Sequence, residues 1–415
     1  MMKRSNETIP DFLLSCDLQG IYQKYWKTGC FDDYSADHFL IRLFYNGVES
    51  IEWKEQLINN NCNSLYAPIK NGGIDYETLS ENFLINLGTK LSLLEKNFGE
   101  ASIGDFIKGQ MAAGKTNYDK DQFFQALSEI EILSFFLSIF YGWTDKKYEP
   151  GIGPNGSNPE ATFFWNNFKI TDTQFANYRI NVEVKTAAFP ILTAERKKTI
   201  IPAVLLTNEG RKAIKEYAKQ NNIDLIEPRV TKLVDFINSA AKKFSNTGEG
   251  DINLLFINWS YSNFPSNGFL EAWSLLTNEV NGLMINKDLA ENLPFEHPVS
   301  PDAYEKITAI IVYTNSLEQL MFGDFRDVYK THPTVGPRFR VFLNTQNLKF
   351  NNGFEENHIL FRTTGMNPSP LEPGKWRLLA DGGTNNNTIE LKAEFAKQCV
   401  EALEIIDNYI LQKSE

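Results

Sequence analysis

The stretch YRINVEVKT, residues 178–186, alternates strictly between apolar and polar side chains. A period of two fits an extended strand and no helix, so Ile180, Val182 and Val184 face one way and Asn181, Glu183 and Lys185 the other. Three further stretches have strand character: INLLFINWS (252–260), ITAIIVYT (307–314) and RFRVFLN (338–344). Between them, around 208–220, 229–244 and 268–282, apolar residues recur at helical spacing. Helices alternating with strands predict a mixed α/β core.

Residues 1–118 read as mostly helical, with loops at 59–63 and 69–75. The core is expected over 119–350, and a C-terminal loop and helix packing on it over 351–415. The 366–388 stretch, rich in proline, glycine and asparagine, reads as turns. In the closing helix Phe395, Cys399, Leu403, Ile406 and Ile410 share a packing face.

The net charge of −11 argues against a protein that coats nucleic acid without specificity. The balance is uneven: Lys185 to Lys243 holds twelve Lys or Arg against six Asp or Glu. That excess suits either solvated helix faces or a surface turned toward a polyanion. Four well-separated cysteines without a C-x-x-C suggest neither a disulfide framework nor a zinc cluster, and a reducing cytoplasm is the expected setting. The most apolar run, Ile132 to Trp143, is too short to cross a bilayer, so no membrane partner is expected.

GQMAAGKT, residues 109–116, spells the phosphate-loop pattern G-x-x-x-x-G-K-T. A working phosphate loop needs a buried strand running into it and a helix starting at the Lys-Thr, where free amides meet the phosphates. Asp105 and Lys108 interrupt any strand before it, and NYDKDQ separates it from the next apolar periodicity at Phe123. A polar glycine-containing loop between the N-terminal helices and the core is expected instead.

The chemistry-bearing residues follow. DQFFQALSEIEILSFFLSIFYGW (121–143) is apolar at nearly every turn, the pattern of a buried helix. Ser128, Glu131, Ser134 and Ser138 form its one polar stripe, so Glu131 is expected in solvent. Glu129 shares a face with Gln125, Ile132 and Phe136, where an ionised carboxylate is costly without a partner. Then comes YEPGIGPNGSNPEATFFW (148–165), a loop ending in Pro159-Glu160 and followed by a short aromatic strand. E-x-K occurs also at Glu52, Glu195 and Glu390, but only Glu183-Val184-Lys185 sits in an alternating strand with Pro-Glu upstream.

In this order of parts, residues 121–260 resemble the PD-(D/E)xK nuclease superfamily and its restriction-endonuclease-like fold, a mixed central sheet flanked by helices. Here that core carries an N-terminal helical region and C-terminal elaborations. The resemblance implies that Glu160 stands for the acid of the Pro-Asp element. Glu183 and Lys185 are its second acid and lysine, and Glu129 is the helix carboxylate that accompanies them. Glu160 replaces the usual Asp, and the interval of 23 residues to Glu183 leaves room for an excursion, KITDTQFANY, of open register.

The resemblance further implies Mg²⁺ or Mn²⁺ held by Glu160, Glu183, the Val184 carbonyl and Glu129, the last directly or through water. Mg²⁺ prefers oxygen ligands, and a bound divalent ion acidifies water and clamps phosphate oxygens. Lys185 positions the attacking water or neutralises developing charge. On the same resemblance, Arg196, Lys197 and Lys198 open the basic stretch that would face the nucleic acid backbone. The implied function is a DNA endonuclease of restriction or phage-defence type. A homodimer is the arrangement with which such folds often cut both strands. The alternative is a nuclease-fold module that binds nucleic acid or protein without cutting.

Overall fold

The computed structural model describes residues 11–17, 20–46, 76–139, 142–151, 153, 156–169, 172–173, 175–187, 198–200, 216, 219–221, 224–226, 230–245, 248, 250–259, 272, 275–276, 282–284, 287, 298–313, 339–344 and 376–379. The described residues of the N-terminal region form helices α1 (Asp11–Cys16), α2 (Ile21–Lys27), α3 (Phe39–Asn46), α4 (Tyr76–Phe98) and α5 (Glu100–Gly109). The long apolar helix follows as α6 (Lys120–Ile139).

The chain then enters its sheet through β1 (Asp145–Tyr148), β2 (Ala161–Lys169) and β3 (Phe175–Thr186), an antiparallel meander. A small parallel pair, β4 (Lys198–Ile200) and β5 (Asp224–Ile226), lies apart from it in sheet order. Helix α7 (Val230–Lys243) leads into β6 (Asp251–Asn258), which runs parallel to β3, and α8 (Pro301–Lys306) leads into β7 (Ala309–Tyr313), parallel to β6. Two antiparallel strands, β8 (Phe339–Asn344) and β9 (Trp376–Leu379), complete the edge. Among the described residues the sheet thus has the order β1-β2-β3-β6-β7-β8-β9.

Both faces are covered, which is why β6 and β7 are largely apolar on both sides. On one face Ile180, Val182, Val184, Leu254, Phe256 and Ile311 pack against α6 and the N-terminal helices. The N-terminal region therefore shares its core with the sheet. On the other face Leu255, Ile257, Ile310 and Val312 pack with Leu233, Val234 and Ile237 of α7 and with α8. The molecule is a mixed α/β fold, a mixed sheet flanked by helices. No helix among the described residues is long and apolar enough to cross a membrane.

Two expectations need correction, on Glu131 and on residues 376–379, and one strand has no sequence pattern of its own. Glu131 is not in solvent: it is 2% exposed and ion-paired with Lys90 of α4. The stripe it belongs to is covered by the N-terminal region and by the sheet; Ser128 accepts a 3.0 Å hydrogen bond from the Asn258 side chain. Periodicity identified the polar stripe, but tertiary packing decided what lies against it. DKKY (145–148) is a strand despite having no apolar run, because β2 supplies its ladder. WRLL (376–379) is an edge strand inside the stretch that reads as turns, so residues beyond 350 contribute to the sheet itself.

The GQMAAGKT segment is entered by a helix, α5, and not by a strand. Ala113, Gly114 and Lys115 all have left-handed backbones, with φ of 45°, 83° and 52°. A Cβ at Gly114 would lie 2.2 Å from the Asn117 carbonyl oxygen, so the turn requires glycine there. Helix α6 begins later, where the Asp119 side chain caps it by accepting from the Asp121 and Gln122 amides at 2.9 and 3.1 Å. Its free amides are therefore not presented at Lys115-Thr116. The turn is anchored from the other side by His38, which accepts from the Leu40 amide through Nδ1 and so donates through Nε2 to the Met111 carbonyl at 2.8 Å.

Candidate active site

The 23-residue interval between Glu160 and Glu183 is spanned by one long hairpin. Strands β2 and β3 pair Ala161 with Val182, Thr162 with Asn181 and Lys169 with Phe175, with an irregularity between Trp165 and Phe168. Of KITDTQFANY, Lys169 ends β2 and residues 175–178 open β3. The Ala161–Val182 pairing brings Glu160, immediately before β2, to the level of Glu183. A separation of 23 residues in sequence becomes a side-by-side placement in the sheet.

Period two gives these side chains a common face. Glu183 falls opposite Leu255 of β6, whose side chain packs under α7, whereas Val182 and Val184 point to the α6 side. Glu183 is wholly buried and Glu160 nearly so. Lys185 reaches back along β3 to Glu183 Oε1 at 2.5 Å. A second ammonium comes from the last residue of α7: Lys243 Nζ lies 2.8 Å from Glu183 Oε1 and 3.3 Å from Glu160 Oε1. Two acids and two lysines therefore converge where the ends of β2 and β3 meet the C-terminus of α7.

The loop that precedes Glu160 sets this convergence. Gly153 donates its amide to the Ser157 carbonyl at 2.9 Å, and Ser157 Oγ donates to the Lys242 carbonyl at 3.0 Å. A Cβ on Gly153 would stand 2.2 Å from the Lys243 carbonyl oxygen, so this glycine lets the loop lie directly on the helix end. The loop thereby fixes the backbone that carries Lys243. On its other flank the Glu149 amide donates to the Glu160 carbonyl at 3.0 Å, continuing the β1–β2 ladder.

Glu129 approaches from α6. Its carboxyl is buried and accepts a 2.8 Å hydrogen bond from the Tyr148 hydroxyl of β1. Burial raises its pKa well above the ordinary glutamate range, and repulsion from Glu160 adds to this, while the Tyr148 hydrogen bond opposes it. Burial also lifts Glu160, to about 7, with Glu183 reinforcing and Lys243 and Lys185 opposing. For Lys243 burial alone would lower the pKa, but Glu160 and Glu183 outweigh it and hold the lysine firmly protonated.

Of the residues that the sequence singles out, Glu160, Glu183 and Lys185 are brought together with Val184 between the last two in β3, and Glu129 lies within electrostatic reach. Lys198 opens β4, whereas Arg196 and Lys197 lie outside the described residues. Sequence reasoning missed two participants. Tyr148 carries no signal beyond its place before the loop. Lys243 does carry one: it lies three residues after Ala240 and seven after Phe236, both buried, at the flank of the α7 packing stripe.

Among the described residues no three His, Cys, Asp or Glu side chains form a ready-made metal cage. A pair of carboxylates is nonetheless a sufficient protein contribution for Mg²⁺, which keeps several of its waters. Glu183 Oε1 meets both ammonium groups, whereas its buried Oε2 has no hydrogen-bond partner. A buried carboxylate oxygen left unsatisfied is costly unless something else coordinates it. The donor set therefore fits a hard divalent cation. No family model matches the chain, and no curated protein or solved structure matches it either.

Proposed function

We propose that this chain is a metal-dependent phosphodiesterase, a DNA endonuclease built on a PD-(D/E)xK-like core. The observation that carries the reading is the juxtaposition of Glu160 and Glu183 across the β2–β3 hairpin, with Lys185 beside them on the same face. The order of elements supports it too: a buried helix bearing Glu129, a hairpin whose strands bring the two acids level, then α7 and a strand parallel to β3. DNA as substrate, a role in restriction or phage defence and a homodimeric enzyme all rest on the resemblance to that superfamily.

Glu160 and Glu183 would hold Mg²⁺ or Mn²⁺, with the Val184 carbonyl as a further oxygen and Glu129 contributing through water. The ion would supply Lewis acidity toward water and a phosphate oxygen. Lys185 orients the attacking water and offsets the negative charge that builds on phosphorus. Tyr148 holds the Glu129 carboxyl in place through its hydroxyl. Burial of the cluster keeps bulk water away and strengthens each of these interactions.

A second reading, a nuclease-fold module that binds without cutting, is favoured by one feature: Lys185 and Lys243 already neutralise the two carboxylates. Metal-dependent cleavage by wild type separates the two, and substitution of Lys185 then tests its role. Lys185→Ala is expected to abolish Mg²⁺-dependent cleavage while the chain stays folded, because Lys243 still pairs with Glu183. Full activity in that variant would remove Lys185 from the site.

A further inference from the structure

We infer that Lys243 is a built-in countercation, seated between Glu160 and Glu183, which a divalent ion must displace in order to bind. The inference rests on the metal-centre reading above. Lys243 is the one described lysine whose ammonium contacts both carboxylates, at 3.3 and 2.8 Å, whereas Lys185 contacts Glu183. An ion bridging two carboxylates needs the space between them, and that is where the Lys243 ammonium lies.

The surroundings suit such an exchange. Without a cation, two buried carboxylates at neighbouring strand ends repel each other, and one ammonium spanning both offsets this. The Lys243 backbone is fixed by Gly153 and by the Ser157 bond to the Lys242 carbonyl, so the flexible four-carbon stem carries the motion. The side chain is 27% exposed, which leaves it a route outward. A divalent ion entering beside a retained ammonium would meet strong like-charge repulsion at this distance. Lysine and metal are therefore alternatives at this seat, and Lys243 weakens the affinity that the bare acids would otherwise have.

Calorimetric titration of the full chain with Mn²⁺ at pH 7.5 tests this. Lys243→Met should bind Mn²⁺ tighter than wild type by roughly tenfold or more, the scale expected when one nearby unit charge is removed. Lys243→Gln is a second neutral variant; it keeps a hydrogen-bond donor for the carboxylates and should tighten binding likewise, even if the methionine variant folds poorly. Lys242→Met removes the same charge from the adjacent exposed position and should leave affinity within twofold. Detectable binding only in the Lys243 variants would also support the inference. Equal or weaker binding in both Lys243 variants, with wild type binding, would overturn it while leaving the metal centre standing. Absence of binding in wild type and in both Lys243 variants would overturn the inference and the metal-centre reading together.

Discussion

Replacing Glu160 with Gln should change how stability depends on pH. Glu160 is held at about 7, against 4.5 for an ordinary glutamate, mainly by burial and then by Glu183. Between those two values the folded protein keeps a proton that the unfolded chain has released. Unfolding therefore releases a proton in that window, and stability falls as pH rises through it. The contribution is fully present below 4.5 and has gone above about 7. Across the window it is worth about 3 kcal/mol.

Glu160→Gln removes this part of the slope. It also relieves Glu129, for which repulsion from Glu160 is the second cause of the upward shift, so the two effects flatten the curve in the same direction. The assay is equilibrium urea unfolding followed by tryptophan fluorescence from pH 4.5 to 8, with wild type and variant compared at each pH. The variant should gain about 3 kcal/mol relative to wild type between the ends of that range, whatever its absolute stability. Parallel curves would refute the placement of Glu160 as a buried acid facing Glu183.

Two structural predictions follow from other contacts. Gly153→Ala puts a Cβ against the Lys243 carbonyl, so it should cost about 1–3 kcal/mol in urea unfolding and lower cleavage by displacing the helix end from the acids. Lys90→Met removes an ammonium from beside the buried Glu131 carboxylate and should cost about 3–5 kcal/mol; Lys90→Met with Glu131→Leu should recover most of that loss. An exposed Glu131 would predict a change below about 0.5 kcal/mol for Lys90→Met.

What was legible in the sequence is what local periodicity controls. Strict alternation located β3, apolar runs located β6, β7 and β8, and the apolar helix before them is α6. Alternation also put Glu183 and Lys185 on one face, and the Pro-Glu step put Glu160 at a strand start. The hairpin register lies deeper, because an irregularity between Trp165 and Phe168 shifts the pairing. Lys243 escaped because its contact depends on how α7 docks over the sheet, with α7 and β3 separated by more than forty residues. Glu131 was misplaced for a related reason: a polar stripe is compatible with solvent or with a buried lysine, and only packing against α4 distinguishes them. Strands β1 and β9 are four residues long and owe their existence to neighbours, so neither has a pattern of its own.

The most direct measurement is cleavage of supercoiled plasmid and of single-stranded DNA by the 415-residue chain with Mg²⁺ or Mn²⁺, beside Glu183→Ala and an EDTA control. Metal-dependent cutting by wild type that disappears in Glu183→Ala is the predicted result, and it would locate the catalytic centre at the β2–β3 strand ends. Cutting of neither substrate by wild type would contradict the account and favour a binding module, and equal cutting by wild type and Glu183→Ala would place the chemistry elsewhere.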